Sequence, residues 1–333
     1  MSFVKKMWRP LVALLFLIIL VKKGPIKVEQ VQLVLAEPQI LFIGLTFFLL
    51  QLVLFSYRWK VFVDQLSILK FKTAFKLNAI GLFFSFFIPG GVGGDVIKAL
   101  ELSKDHVTSK STALATVIAD RVLGLYSMIF FSAVFLSFEF FLSPTAQIKN
   151  YLLISLTLLA GLSVGLWLAP YFIQKINEHF RQKQNRFIGH LNKILLSLNL
   201  TFASFRKPKL MLINLVYCFF VQIISIYFMY FVVKYLKVQP PPFFIFFSLC
   251  CFGILASAIP LTPAGIGVGQ AAFYFLFSPY GVDVAEASVT AVSLFQLFQL
   301  FFALIGGLFF AFKKTPPAFE KVSKNNTEDV YEK

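Results

Sequence analysis

Phe83-Phe84-Ser85-Phe86-Phe87-Ile88-Pro89-Gly90-Gly91-Val92-Gly93-Gly94-Asp95 is an apolar segment broken by one proline and four glycines. A second segment breaks in the same way: Ile254-Leu255-Ala256-Ser257-Ala258-Ile259-Pro260-Leu261-Thr262-Pro263-Ala264-Gly265-Ile266-Gly267-Val268-Gly269-Gln270. Both contain Pro-x-Gly-(Val/Ile)-Gly, with one copy in each half of the chain. Pro and Gly interruptions at matching places in two hydrophobic halves point to the central site of a transporter built from repeats.

Composition agrees with a membrane setting. Of 333 residues, 58% are hydrophobic, 44 are Phe and only 14% are charged. A soluble domain of this size cannot hide so much apolar surface, so an all-α polytopic membrane protein is expected. The net charge of +16 is read as cytoplasmic loops facing anionic lipid, in the cell inner (cytoplasmic) membrane, and not as nucleic-acid binding. Cys218, Cys250 and Cys251 lie in apolar segments and imply helix packing, with no disulfide framework and no metal site. Lys5, Lys6 and Arg9 precede an apolar run over 11–21, as in a signal peptide. Val21-Lys22-Lys23-Gly24-Pro25 offers no small-x-small cleavage site, so the run reads as an uncleaved, short first helix.

Apolar segments fall near 7–21, 39–57, 74–88, 112–140, 150–170, 210–233, 243–260 and 285–312. The one before the first break, 77–88, has 12 residues, about 18 Å of helix against a hydrocarbon core about 30 Å thick. It reaches the middle and turns back, with 95–103 as the returning helix. The second copy enters over 243–259, turns over 262–269 and returns over 270–277. The positive-inside rule favours this re-entrant arrangement with both termini cytoplasmic. The stretches 1–9, 57–76, 95–111, 171–209 and 313–333 then carry 24 of the 31 Lys and Arg. The outer stretches carry six, and Arg121 lies within a span. The expected fold has about six full spans plus two re-entrant helical hairpins in an inverted-topology repeat. Residues 1–315 form one domain, with halves at 39–140 and 210–312. The connector 171–209 spaces apolar residues helically among basic ones, which fits an amphipathic helix on the cytoplasmic membrane surface or a solvated linker. The polar tail 316–333 is expected to be disordered.

Non-helical backbone at membrane depth is tolerated only where protein or a water-filled cavity covers it. Pro89, Gly90, Gly91, Gly93 and Gly94, with Pro263, Gly265, Gly267 and Gly269, therefore either line a headgroup or ion site at the start of a returning helix or serve tight hairpin packing. They match no nucleotide-binding loop, and no cofactor is expected. Asp95 stands where a helix N-cap would. Lys98, one turn on, is its partner, a phosphate contact or a cytoplasmic surface residue. Asp120 and Arg121 lie 8 and 9 residues past Thr112, about 12–13 Å into a span if its helix starts there. Charges at such depth must be paired or hydrated, or must snorkel to the headgroups. One arrangement has Arg121 facing a cavity, where its planar fork suits phosphate, and Asp120 holding a neighbouring helix. In the second half Gln270, Gln296 and Gln299 are amides, suited to interhelical hydrogen bonds or to ligand contact.

The run from Asn78 through Pro89-Gly90-Gly91-Val92-Gly93-Gly94-Asp95, then Asp120-Arg121-Val122-Leu123-Gly124-Leu125, resembles the transmembrane region of lysylphosphatidylglycerol synthases. Pro263-Ala264-Gly265-Ile266-Gly267-Val268-Gly269-Gln270 and Gly306-Gly307 fit it too, so the resemblance covers roughly 1–315. It implies a flippase-like integral membrane domain. The Pro/Gly breaks and Asp120-Arg121 are then its functional positions, and lipids or lipid-linked sugars move between leaflets. Members often carry an acid where Gln270 stands and an Arg near Gln296, so here a neutral pair replaces an ion pair. The lysyltransferase domain of the full synthase does not follow within this chain, so aminoacyl transfer is not expected.

Three functions are in contention. The preferred one is a non-enzymatic translocase for an anionic phospholipid or polyprenyl-linked headgroup, served by the residues above. The second is a membrane-embedded headgroup transferase, which would normally need paired acids and a metal. The third is an accessory membrane protein without transport.

Overall fold

Short apolar helices alternate with long ones, and that alternation sets the architecture. The computed structural model describes residues 36–65, 67–87, 93–105, 109–181, 208–259 and 262–312, together with residues 32, 195, 197 and 199. Nine α-helices lie among them: α1 Pro38–Val63, α2 Phe71–Phe87, α3 Gly93–Asp105, α4 Lys110–Leu142, α5 Ala146–Arg181, α6 Pro208–Tyr235, α7 Phe243–Ser257, α8 Val268–Phe277 and α9 Val282–Ala311. Helices α1, α4, α5, α6 and α9 are long and apolar enough to cross a membrane. Helices α2, α3, α7 and α8 have 17, 13, 15 and 10 residues, so each is at most about 26 Å long, short of the hydrocarbon core. The expected first span, 7–21, the tail 316–333 and most of the connector lie outside the described residues. The helix expected to end near 170 continues to Arg181.

The short helices pair as antiparallel hairpins. In the first, Gly94 packs on Gly81 and Ser85, while Leu102 shares a core with Ala74 and Leu77. In the second, Gly269 packs on Ser257, Phe273 on Gly253, and Phe277 on Phe246. The entering helices carry the same device. Gly81-x-x-x-Ser85 and Gly253-x-x-x-Ser257 each turn the serine hydroxyl back onto the glycine carbonyl, at 3.0 and 2.8 Å. That satisfies a hydroxyl in an apolar setting without a partner helix. The second turn requires left-handed backbone. Ala264 and Gly265 both adopt left-handed φ, at 50° and 70°, and a side chain at Gly265 would strike the Ser257 carbonyl.

The two halves are related by an exchange. Helices α1 and α6 pack along each other, α2 packs on α9, and α7 packs on α4. The α1–α6 contacts Phe47–Tyr227, Gln51–Ser225 and Tyr57–Tyr217 run in opposite order along the two helices, so these spans are antiparallel. The second half is therefore the first turned over. Close approach at the joints comes from small residues and rings. Gly306 lies against the Ala79 backbone, Gly307 against Phe83 and Gly44 against Phe298, while Phe135 packs between Phe244 and Phe247. The largest core runs through these contacts.

A methyl at Gly306 would collide with the Ala79 carbonyl, whereas one at Gly161 on α5 meets nothing within 4 Å among the described residues. Gly306→Ala is expected to lower stability by about 1–3 kcal/mol through overpacking. Gly161→Ala should raise it by about 0.5–1 kcal/mol through helix propensity. Thermal unfolding of the purified protein in detergent reads both, and an unshifted Gly306→Ala curve would contradict the close α2–α9 contact.

Candidate functional site

A cavity of about 350 Å³ lies where the two halves meet. Both hairpins and both long helices of the repeat contribute to its wall: Asn78, Ser85, Asp95 and Lys98 from the first hairpin, Asp120 and Arg121 from α4, Ser257, Thr262 and Gly265 from the second hairpin, and Gln296 and Gln299 from α9. Gln51 and Arg58 of α1 and Gln222 of α6 complete its polar lining.

Adjacent residues on α4 point in different directions and take different partners. Asp120 turns towards α1 and receives both forks of Arg58, Nε at 2.8 Å and Nη2 at 3.1 Å. Arg58 also donates to the Asp120 carbonyl at 3.4 Å and the Cys218 sulfur at 3.2 Å, and its guanidinium lies over the Phe55 ring. The side chains of this pair are only 3% and 5% exposed. A bidentate pair with extra hydrogen bonds is the form in which two charges survive burial. Arg121 turns to the first hairpin and pairs with Asp95, Nε to Oδ2 at 2.7 Å, with its side chain 42% exposed. Lys98 lies under the cavity at 4% exposure, its ammonium 3.8 Å from the centre of the Trp59 ring.

The second half repeats this geometry without charge. Gln270 donates to Gln296 at 2.7 Å and to Ser293 at 3.2 Å, and its own oxygen accepts from the Gly267 N–H at 2.6 Å. Asp95 and Arg121 are 26 residues apart in sequence, and so are Gln270 and Gln296. Each pair ties the returning helix of a hairpin to the long helix that follows it. Gln270 itself stands one step behind the wall, and Gln296 faces the cavity.

Several expected site residues meet here and others do not. Asp95, Lys98, Asp120, Arg121, Gly265 and Gln296 line one cavity. Gly94 and Gly269 serve hairpin packing and Gly267 the start of α8, Gly93 opens α3, and Pro263 lies in the second turn. Pro89, Gly90 and Gly91 lie outside the described residues. Asp95 is not a cap. Helix α3 already starts at Gly93, so the carboxylate sits in its first turn and is free to reach Arg121. Lys98 is neither the partner of Asp95 nor a surface residue, because packing against Gly81 and Trp59 encloses it. The residue that sequence reasoning missed is Arg58. The apolar segment was ended at Tyr57 and Arg58 counted with the cytoplasmic charges, yet α1 continues through Val61-Phe62-Val63. That resumption of apolar residues was the available signal.

A family model described as the lysylphosphatidylglycerol synthase TM region matches residues 7–307. The match covers most of the chain, which belongs to that family of membrane proteins. No curated protein and no solved structure matched it.

Removing one partner of the Arg58–Asp120 pair leaves a charge stranded in a dry site. Asp120→Leu or Arg58→Met is expected to cost about 3–5 kcal/mol, with much of the loss recovered in the double variant Arg58→Met/Asp120→Leu. Thermal unfolding of the four proteins measures the cycle, and equal losses in single and double variants would argue against a coupled pair.

Proposed function

We propose that this member of the family is a lipid translocase that passes an anionic headgroup through the cavity between its two halves, without chemical change to the lipid. The observation that carries the reading is the Asp95–Arg121 pair. It joins a short hairpin to a long span, and it lines a cavity built by both halves of an inverted repeat. Inverted repeats around a midplane site suit alternating access. In this reading both hairpins are re-entrant, the membrane is the cytoplasmic one and both ends of the chain face the cytoplasm, in keeping with the distribution of Lys and Arg.

The ion pair supplies a physical step. Arg121, with its side chain 42% exposed, holds the Asp95 carboxylate while staying open to a second anion. A phosphate offers Arg121 the same bidentate partner as a carboxylate. Headgroup entry then exchanges one anion for another at Arg121 and frees Asp95, and with it α3, to move. Lys98 adds a second cation to the same wall. The pair Arg58–Asp120 has no role in this exchange. It anchors α4 to α1 so that Arg121 is held at a fixed depth.

Transbilayer movement of an acyl-labelled anionic phospholipid in vesicles containing the purified protein tests this, with dithionite quenching as the readout. Arg121→Ala is expected to reduce movement by about two orders of magnitude, as for loss of an interaction worth roughly 3 kcal/mol, while its unfolding temperature stays close to wild type. Normal movement by that variant removes Arg121 from the mechanism, and no movement by the wild type removes the translocase reading.

A further inference from the structure

Among the described residues, five charged side chains line the cavity: the cations Arg58, Lys98 and Arg121 and the carboxylates Asp95 and Asp120. Arginine takes both carboxylates, Arg58 holding Asp120 and Arg121 holding Asp95. Lys98 is left over. It is 4% exposed, and among the described residues its nitrogen makes no hydrogen bond and no ion pair. Its contact is the face of the Trp59 ring, 3.8 Å away. A ring face attracts a cation, but it does not replace acceptors for the three N–H groups of an ammonium.

The charges that act on Lys98 come from its own helix and from two others. Asp95, one turn earlier on α3, and Asp120 on α4 attract an ammonium there, while Arg58 on α1 and Arg121 on α4 repel it. Helix α2 brings Gly81 against its stem and Asn78 to the same cavity. Glu101, the next turn of α3, is paired with Lys104, and the Cys218 thiol of α6 lies against Arg58. With Lys98 charged, the five cavity side chains carry one uncompensated positive charge. With Lys98 as an amine, they are neutral. An ammonium buried without acceptors is the form that sheds its proton, and lysine does so readily where arginine does not.

We propose that Lys98 couples the cavity to protons: it stands as a neutral amine when the cavity is empty and takes up one proton from water when an anion arrives. This inference rests on the reading of the cavity as an anionic headgroup site. The phosphate enters on Arg121 and displaces Asp95. Asp95 and Lys98 are three residues apart on α3, a spacing that places them on one helix face, so the released carboxylate finds Lys98 within its own helix. The lone pair of Lys98 Nζ takes the proton, and three cations then meet three anions: Arg58 with Asp120, Arg121 with the phosphate and Lys98 with Asp95. Neither the empty nor the loaded cavity holds an unpaired charge. One proton accompanies each anion, the two together move no net charge, and a proton gradient can drive the headgroup against its own gradient.

The test is calorimetric titration of the full chain in detergent with dioctanoyl-phosphatidylglycerol, whose phosphodiester stays a monoanion throughout. It is run from about pH 6 to about pH 10, the range over which a buried lysine can lose its proton. At each pH, two buffers of different ionisation enthalpy give the number of protons taken up per lipid bound. The wild type is expected to take up close to one proton over part of this range, and its affinity to fall there by up to about tenfold per pH unit, the slope that one linked proton imposes. Lys98→Arg, which stays charged, and Lys98→Met, which has nothing to titrate, should each bind lipid without that uptake, and either variant suffices if the other does not fold. Lipid binding by the wild type with less than about 0.2 proton taken up at every pH overturns the inference and leaves the headgroup reading standing. Uptake that survives in either variant assigns the proton to another group, such as Asp95 or Cys218, and overturns it too. Absence of lipid binding at every pH removes the headgroup site, and this inference with it.

Discussion

A charge in the hydrocarbon region must be paired, and the rest of this structure follows from how Asp120 meets that demand. Its partner, Arg58, sits on α1, and the two-pronged contact fixes α4 against α1 at one depth and one rotation. With Asp120 turned to α1, the next residue is carried about 100° round the helix and emerges on the cavity side. Arg121 therefore faces Asp95 of the first hairpin. The buried pair is costly relative to an apolar contact of the same shape. What it secures is the placement of a second, half-exposed arginine on the cavity wall.

The two halves share a scaffold and differ in chemistry. Each has an entering helix with glycine four residues before serine, a returning helix that begins in a glycine-rich turn, and a polar contact to a long helix 26 residues on. The character of that contact differs, and the first half adds Lys98 and the Arg58–Asp120 pair to the same cavity. An ionic contact responds to incoming charge, because a competing anion can replace the carboxylate. An amide pair does not, since a charged group gains little by displacing a neutral one from a neutral one. The charge of the cavity thus comes from the first half, within a frame the two halves share.

Much of this was legible in the sequence, for reasons of length. A run of 12 residues before a Pro/Gly break is shorter than the hydrocarbon core, and with the distribution of Lys and Arg it pointed to two pairs of short helices. The depth of Asp120 and Arg121 was legible because long apolar runs flank them. Arg58 was not, since a charge near the end of a run looks like its boundary, even though Val61-Phe62-Val63 resume the apolar run beyond it. Moving Arg58 and Lys98 out of the cytoplasmic count leaves the charge asymmetry intact, so the topological argument survives the correction. The equivalence of the two polar pairs was obscured by the turns. Counted from the prolines, Arg121 falls level with Phe295, because Gln270 stands one position further from Pro263 than Asp95 does from Pro89. Counted from the hairpin residue each pair begins with, the spacing is the same.

The contacts also divide the molecule into parts that can and cannot shift. Helix α2 meets α9 through Gly306 and Gly307 pressed on backbone and ring, a fit that tolerates no added methyl. Helix α7 meets α4 through stacked and edge-on Phe rings and the Ser248 hydroxyl. Packed interfaces of this kind slide poorly, since displacement opens voids before it finds new contacts. Within the first half, α3 shares a core with α4 through Ala99, Leu102, Ala113 and Val117, and the Asp95–Arg121 ion pair joins the two helices at the cavity. The second hairpin has a neutral tie and a turn with left-handed backbone at Ala264 and Gly265. A charge brought into the cavity acts on the tie of the first hairpin and not on that of the second, because only the Asp95–Arg121 contact is ionic.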